Sequence, residues 1–83
     1  MPANLSYKAS VEGDLRRLNP QERRRVIAKL ERDLRAGATG AQPLKGEFAG
    51  LYRIRVGDCR AIFARTAEGY LVLRIAHRRE AYR

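Results

Sequence analysis

Hydrophobic positions along the chain change period once, near residue 50. Before it, apolar residues recur with helical spacing. Val11, Leu15 and Leu18 stand at i, i+4 and i+7 and define one stripe of a first helix. Ser10 is placed to cap it, and Gly13 weakens it by about 1 kcal/mol relative to alanine. Val26, Ile27, Leu30 and Leu34 form the stripe of a second helix. Its start has three concordant signals: Asn19 as cap, Pro20 at the first helical position and Glu22 three residues after the cap. Gly37 provides a left-handed stop. The connection Leu18-Asn19-Pro20 is so short that the two helices must form a hairpin. Ahead of them, Leu5-Ser6-Tyr7 alternates and predicts a short strand.

Residues 37–50, rich in Gly, Ala and Thr, read as a loop. Beyond Gly50 the period is two. Tyr52, Ile54 and Val56 share one side of a strand over 51–56, with Leu51, Arg53 and Arg55 on the other. Gly57-Asp58 is a two-residue hairpin signal, so Cys59–Arg65 returns as the next strand. Thr66–Gly69 turns again, and Tyr70–Ala76 forms a last strand with Leu71, Leu73 and Ile75 expected on one face. The predicted order is β-α-α-β-β-β. This is an α+β fold in which a helical hairpin packs on a curved, largely antiparallel sheet. Residues 1–83 form one domain, as a chain of 83 residues has no room for a second core.

Charge changes the picture from architecture to partner. Eighteen Lys+Arg against nine Asp+Glu give a formal net charge of +9. Lys8, Lys29 and Lys45 are the only lysines, so the excess is carried by arginine, whose fork binds phosphate or carboxylate at two points. Such a balance favours a phosphate backbone or an acidic protein as partner. Other classes fall away. A single cysteine, Cys59, excludes an internal disulfide framework, and Cys59 with His77 is too small a ligand set for zinc. No apolar run approaches a membrane span, and the N-terminus lacks the regions of a signal peptide. A cytoplasmic protein is expected, without metal, cofactor or membrane contact.

Two constellations could carry chemistry. With a two-residue turn at Gly57-Asp58, Val56 pairs with Cys59 and Arg55 with Arg60, so Arg53, Arg55 and Arg60 converge on one face. Like charges placed opposite each other are destabilising unless an anion joins them. Such a face is either simply solvated or binds phosphate. The second constellation is the tail, where His77, Arg78, Arg79 and Tyr82 gather an imidazole, two guanidiniums and a phenol. His77 continues the apolar side of the last strand, which suits a half-buried structural histidine as well as a proton carrier. Cys59 reads as a packing residue and Arg23-Arg24-Arg25 as a solvated helix face.

Pro-Leu-Lys-Gly at 43–46, Gly-Leu-Tyr-Arg-Ile-Arg-Val-Gly-Asp-Cys-Arg at 50–60 and Ile-Ala-His-Arg-Arg-Glu-Ala-Tyr at 75–82 together resemble the RelE/ParE superfamily. These are toxins of type II toxin–antitoxin pairs, and the chain is more similar to the RelE branch. Asp-Leu-Arg-Arg-Leu-Asn-Pro at 14–20 fits as well. The resemblance implies a ribosome-dependent endoribonuclease that cuts mRNA in the A site, contacting 16S rRNA. It implies an acidic cognate antitoxin and a free toxin that is a monomer. Its basic strand residues fall on Arg53, Arg55 and Arg60, its C-terminal arginine on Arg78 as clamp and proton donor, and its tyrosine on Tyr82. Cys59 stands where the motif usually has tyrosine. Arginines stand where some relatives have lysines assigned as base or charge stabiliser, and arginine is a poor general base.

RNA supplies its own nucleophile, the 2′-hydroxyl beside the scissile phosphate. On this reading Arg53, Arg55 and Arg60 stabilise charge at phosphorus and Tyr82 orients or deprotonates the 2′-hydroxyl, with His77 in reserve. The products are a 2′,3′-cyclic phosphate, or its hydrolysed form, and a 5′-hydroxyl. Two other classes stay open: a ParE-like toxin that inhibits DNA gyrase without cutting RNA, and a nucleic-acid-binding protein that cuts nothing.

Overall fold

The computed structural model describes residues 4–77. Strand β1 spans Asn4–Tyr7, helix α1 Ser10–Arg16 and helix α2 Pro20–Arg35. A two-residue strand β2, Gln42–Pro43, and a 3₁₀ turn at Gly46–Phe48 precede the hairpin strands β3 (Leu51–Val56) and β4 (Cys59–Arg65). Strand β5 spans Gly69–His77. The five strands form one sheet in the order β1-β5-β4-β3-β2. All neighbours are antiparallel except β1, which runs parallel to β5. The fold is therefore α+β, with the helical pair on one side of an open, mostly antiparallel sheet.

The start of α2 forms as its residues dictate. Asn19 accepts from the Glu22 amide at 2.8 Å while its own amide donates to the Glu22 carboxylate at 2.8 Å, a reciprocal cap. Replacing Asn19 with alanine is expected to cost about 1 kcal/mol. That would appear as a fall of roughly 4–8 °C in the thermal midpoint of a domain this size. At the other end Gly37 takes φ +92°, which only glycine adopts without strain.

The core lies between the helices and one face of the sheet. Val11 from α1, Leu18 from the connection after it, and Val26, Leu30 and Leu34 from α2 meet Ile54, Val56, Cys59, Ala61, Phe63, Val72 and Ile75 from the strands. Phe63 is fully buried at its centre, stacked on Tyr52 at 5.6 Å and edge-on to Tyr70 at 5.5 Å between ring centroids. Strand β1 ends at Tyr7↔Val72, and past that point Asp14 of α1 accepts the Ile75 amide at 3.1 Å. A carboxylate thus satisfies an amide on a strand edge that β1 no longer covers.

Four expectations need correction. Ser10 is the first residue of α1, not its cap; Ala9 holds that position and offers no side-chain bond. The loop over 37–50 contains β2, paired to β3 through Gln42↔Arg53 and Pro43↔Tyr52. A proline at the outermost strand leaves no ladder bond unmade, which is why the segment is short and hard to read as a strand. The basic run on α2 is not simply solvated: Arg23 donates to the carbonyls of Leu15 and Leu18 at 3.1 and 3.3 Å, closing the C-terminus of α1. The fourth correction concerns β5. Ile62 pairs with Arg74 but Phe63 pairs with Val72, leaving Leu73 as an extra residue. This β-bulge shifts the strand phase. Val72 and Ile75 are buried in the core, and Leu71 and Leu73 are not.

Candidate nucleic-acid interface

The sheet face turned away from the helices is built by register. Strand β3 pairs with β4 through Arg53↔Ile62 and Arg55↔Arg60, as the Gly57-Asp58 turn requires, with Gly57 at φ +58°. Directly opposite residues share a face. Arg53, Arg55 and Arg60 therefore lie together on the face opposite Ile54, Val56, Cys59 and Ala61. Strand β5 extends the same rows: Ile62↔Arg74 and Arg60↔Ala76. One row reads Arg53, Ile62, Arg74 and the next Arg55, Arg60, Ala76. Strands β3, β4 and β5 carry no Asp or Glu, so the field over this face is strongly positive.

The arginines differ in setting. Arg53 is half-buried and donates to the Gln42 side chain at 2.8 Å, so β2 fixes its direction. Arg55 is exposed, and no carboxylate among the described residues pairs with it. Arg60 is half-buried with its Nε shut off from solvent. Gly40, Gln42, Arg53 and Arg55 line an open cavity of about 250 Å³. Arg65 belongs to the other face, where its guanidinium lies 5.2 Å from the Tyr52 ring centroid. The face can grip an anion from several directions with charge-assisted bonds.

His77 is placed elsewhere. It pairs with Cys59, on the helix side of the sheet, and lines a cavity of about 380 Å³ with Asp14, Arg17, Leu18 and Glu22. The sheet separates it from the arginines. Arg78 and Tyr82 lie outside the described residues. Among the described residues no cluster of three or more His, Cys, Asp or Glu side chains could hold a metal ion, and no helix is long and apolar enough to cross a membrane. Sequence reasoning did not single out Arg74: alternation puts it on the face opposite Ile75, but no local signal gives the register between β4 and β5 that sets it beside Arg60. The pairing Ile62↔Arg74 makes it the diagonal neighbour of Arg60, and the bulge lets Val72 as well as Ile75 stay in the core.

Cys59 packs in the core, and its thiol donates to the Glu22 carboxylate at 3.9 Å. Burial pushes the thiol pKa up, and the Glu22 charge adds to the rise. The thiolate is the reactive form, so Cys59 is expected to alkylate much more slowly in the folded protein than in denaturant at mildly alkaline pH. Iodoacetamide labelling followed by mass spectrometry checks this; equal rates in both states would contradict it.

The chain belongs to the RelE/ParE superfamily. Residues 5–82 match the profile of the ParE toxin of type II toxin–antitoxin systems, parDE. Among curated proteins none matches at a significant level. Solved structures agree in fold. The toxin–antitoxin complex RelBE2 of Mycobacterium tuberculosis aligns with 26% identity and a TM-score of 0.83, covering 93% of this chain and 92% of that one. The RelB–RelE complex of Methanococcus jannaschii aligns with 21% identity and a TM-score of 0.74 over 93% and 94% of the two chains. The DinJ–YafQ complex of E. coli aligns with 16% identity and a TM-score of 0.73 over the whole of both.

Proposed function

We propose that the protein is the toxin of a type II toxin–antitoxin pair and acts as a ribosome-dependent endoribonuclease on mRNA. The observation that carries this reading is the register that sets Arg53, Arg55 and Arg60 on one open sheet face with no carboxylate on the strands that bear them. Direct opposition of Arg55 and Arg60 is unfavourable alone and becomes favourable when a phosphate bridges the two. Arginine also suits in-line attack by the 2′-hydroxyl, where negative charge accumulates on the non-bridging oxygens.

In this mechanism Arg55 and Arg60 hold the scissile phosphate, and Arg53, steadied by Gln42, supports it from the β2 side. By the resemblance to RelE-type toxins, Tyr82 takes the proton of the 2′-hydroxyl as its oxygen bonds to phosphorus, and Arg78 clamps the phosphate and gives a proton to the 5′-oxygen as its bond to phosphorus breaks. The +9 charge suits ribosomal RNA as the docking surface and an acidic antitoxin as the inhibitor, in the cytoplasm where ribosomes work. The ParE-like alternative is kept because the matching profile bears that name.

The two readings separate in parallel assays. Purified protein is added to ribosomes programmed with a defined mRNA, and separately to gyrase with relaxed plasmid. Cleavage in the first and normal supercoiling in the second is expected. Inhibited supercoiling without mRNA cleavage would overturn the nuclease. Equal cleavage of free RNA would remove the ribosome requirement.

A further inference from the structure

We propose that Arg74 holds the phosphate next to the scissile one, so that the sheet grips two successive phosphates of the RNA strand. This rests on the nuclease reading above.

The assignment follows from register. Arg55 and Arg60 stand side by side across β3 and β4. Arg74 stands one strand further, opposite Ile62, and is therefore the diagonal neighbour of Arg60. Such neighbours lie about 7–8 Å apart. Its row is displaced from the Arg55/Arg60 row by one two-residue repeat, or roughly 6.8 Å along the strand. That step is comparable to the spacing of successive phosphates along a single strand. Arg53 occupies the same row as Arg74 but donates to Gln42 on the β2 side. Arg74 is thus the arginine that serves the β5 side of the row. Ile62 and Ala76, which flank it, are 8% and 9% exposed although neither joins the core on the helix side. A dry floor of this kind strengthens a guanidinium–phosphate contact made above it. The bulge at Leu73 has a purpose on this reading: it keeps Val72 as well as Ile75 in the core beneath while Arg74 stays on the face.

The test uses ribosomes programmed with mRNA carrying a neutral methylphosphonate on one or the other side of the cleavage site. Half-saturating toxin concentration and maximal cleavage rate are measured for the wild type, Arg74→Met and Arg74→Lys. Methionine keeps an apolar stem over the floor and removes the charge. On ordinary mRNA, Arg74→Met is expected to raise the half-saturating concentration about tenfold, with a much smaller change in maximal rate, and Arg74→Lys to restore most of the loss. On mRNA already neutral at one of the two neighbouring phosphates, Arg74→Met should cost almost nothing further. An equal loss on every mRNA, or no loss on any, overturns the assignment while wild-type cleavage leaves the nuclease standing. Absence of wild-type cleavage overturns both. Thermal melts establish that each variant is folded, and Arg74→Gln replaces the methionine variant if that one is not.

Discussion

Replacing Arg60 with alanine is expected to slow mRNA cleavage on programmed ribosomes by roughly a hundredfold, the cost of removing one donor aimed at developing charge. Arg60 sits on the middle strand of β3, β4 and β5, opposite Arg55 and diagonal to Arg53 and Arg74, so it is central to the proposed phosphate site. Its half-buried setting makes its contact with phosphate less screened than that of the exposed Arg55. The loss should fall on the maximal rate at saturating toxin, because the interaction grows as charge moves onto phosphorus. Arg60→Lys should recover only part of it, since a point charge replaces a fork. Full activity in a folded Arg60→Ala protein would remove this face from the chemistry.

The largest effect on stability is expected at Phe63. Its ring is wholly buried between Tyr52 and Tyr70, and it pairs across the sheet with both Tyr52 and Val72. Truncation to alanine removes a large buried surface and leaves a cavity that the paired strands cannot close, at a cost of about 3–5 kcal/mol. Against a total of about 5–15 kcal/mol for a native domain, with small ones at the low end, this removes most of the stability and leaves the variant marginally folded at 25 °C. Circular dichroism should show a thermal midpoint lowered by roughly 12–40 °C. A fall of only a few degrees would mean that the aromatic cluster is not the keystone of the core.

Much of this was legible because local signals agreed with one another. The reciprocal cap at Asn19, the stop at Gly37 and the turn at Gly57-Asp58 are all set by neighbours in sequence, and all three form. The alternation over 51–56 placed Arg53 and Arg55 on one face, and turn geometry then brought Arg60 to them. What escaped was non-local. The partner of Arg23 is the end of another helix. Strand β2 exists only through pairing with β3, and the bulge at Leu73 answers to how β5 meets β4. A period-two reading cannot register one inserted residue, so it puts Leu71 and Leu73 in the core where Val72 belongs. The proton acceptor was named from the tail by resemblance alone, and Tyr82 lies outside the described residues.

The most direct measurement uses end-labelled mRNA on ribosomes, with a single 2′-deoxynucleotide placed immediately 5′ of the cleavage site. The account predicts that unmodified mRNA is cut to a 2′,3′-cyclic phosphate and a 5′-hydroxyl, and that the deoxy substitution abolishes that cut. Continued cleavage at the deoxy position, or a product with a 5′-phosphate, would contradict it.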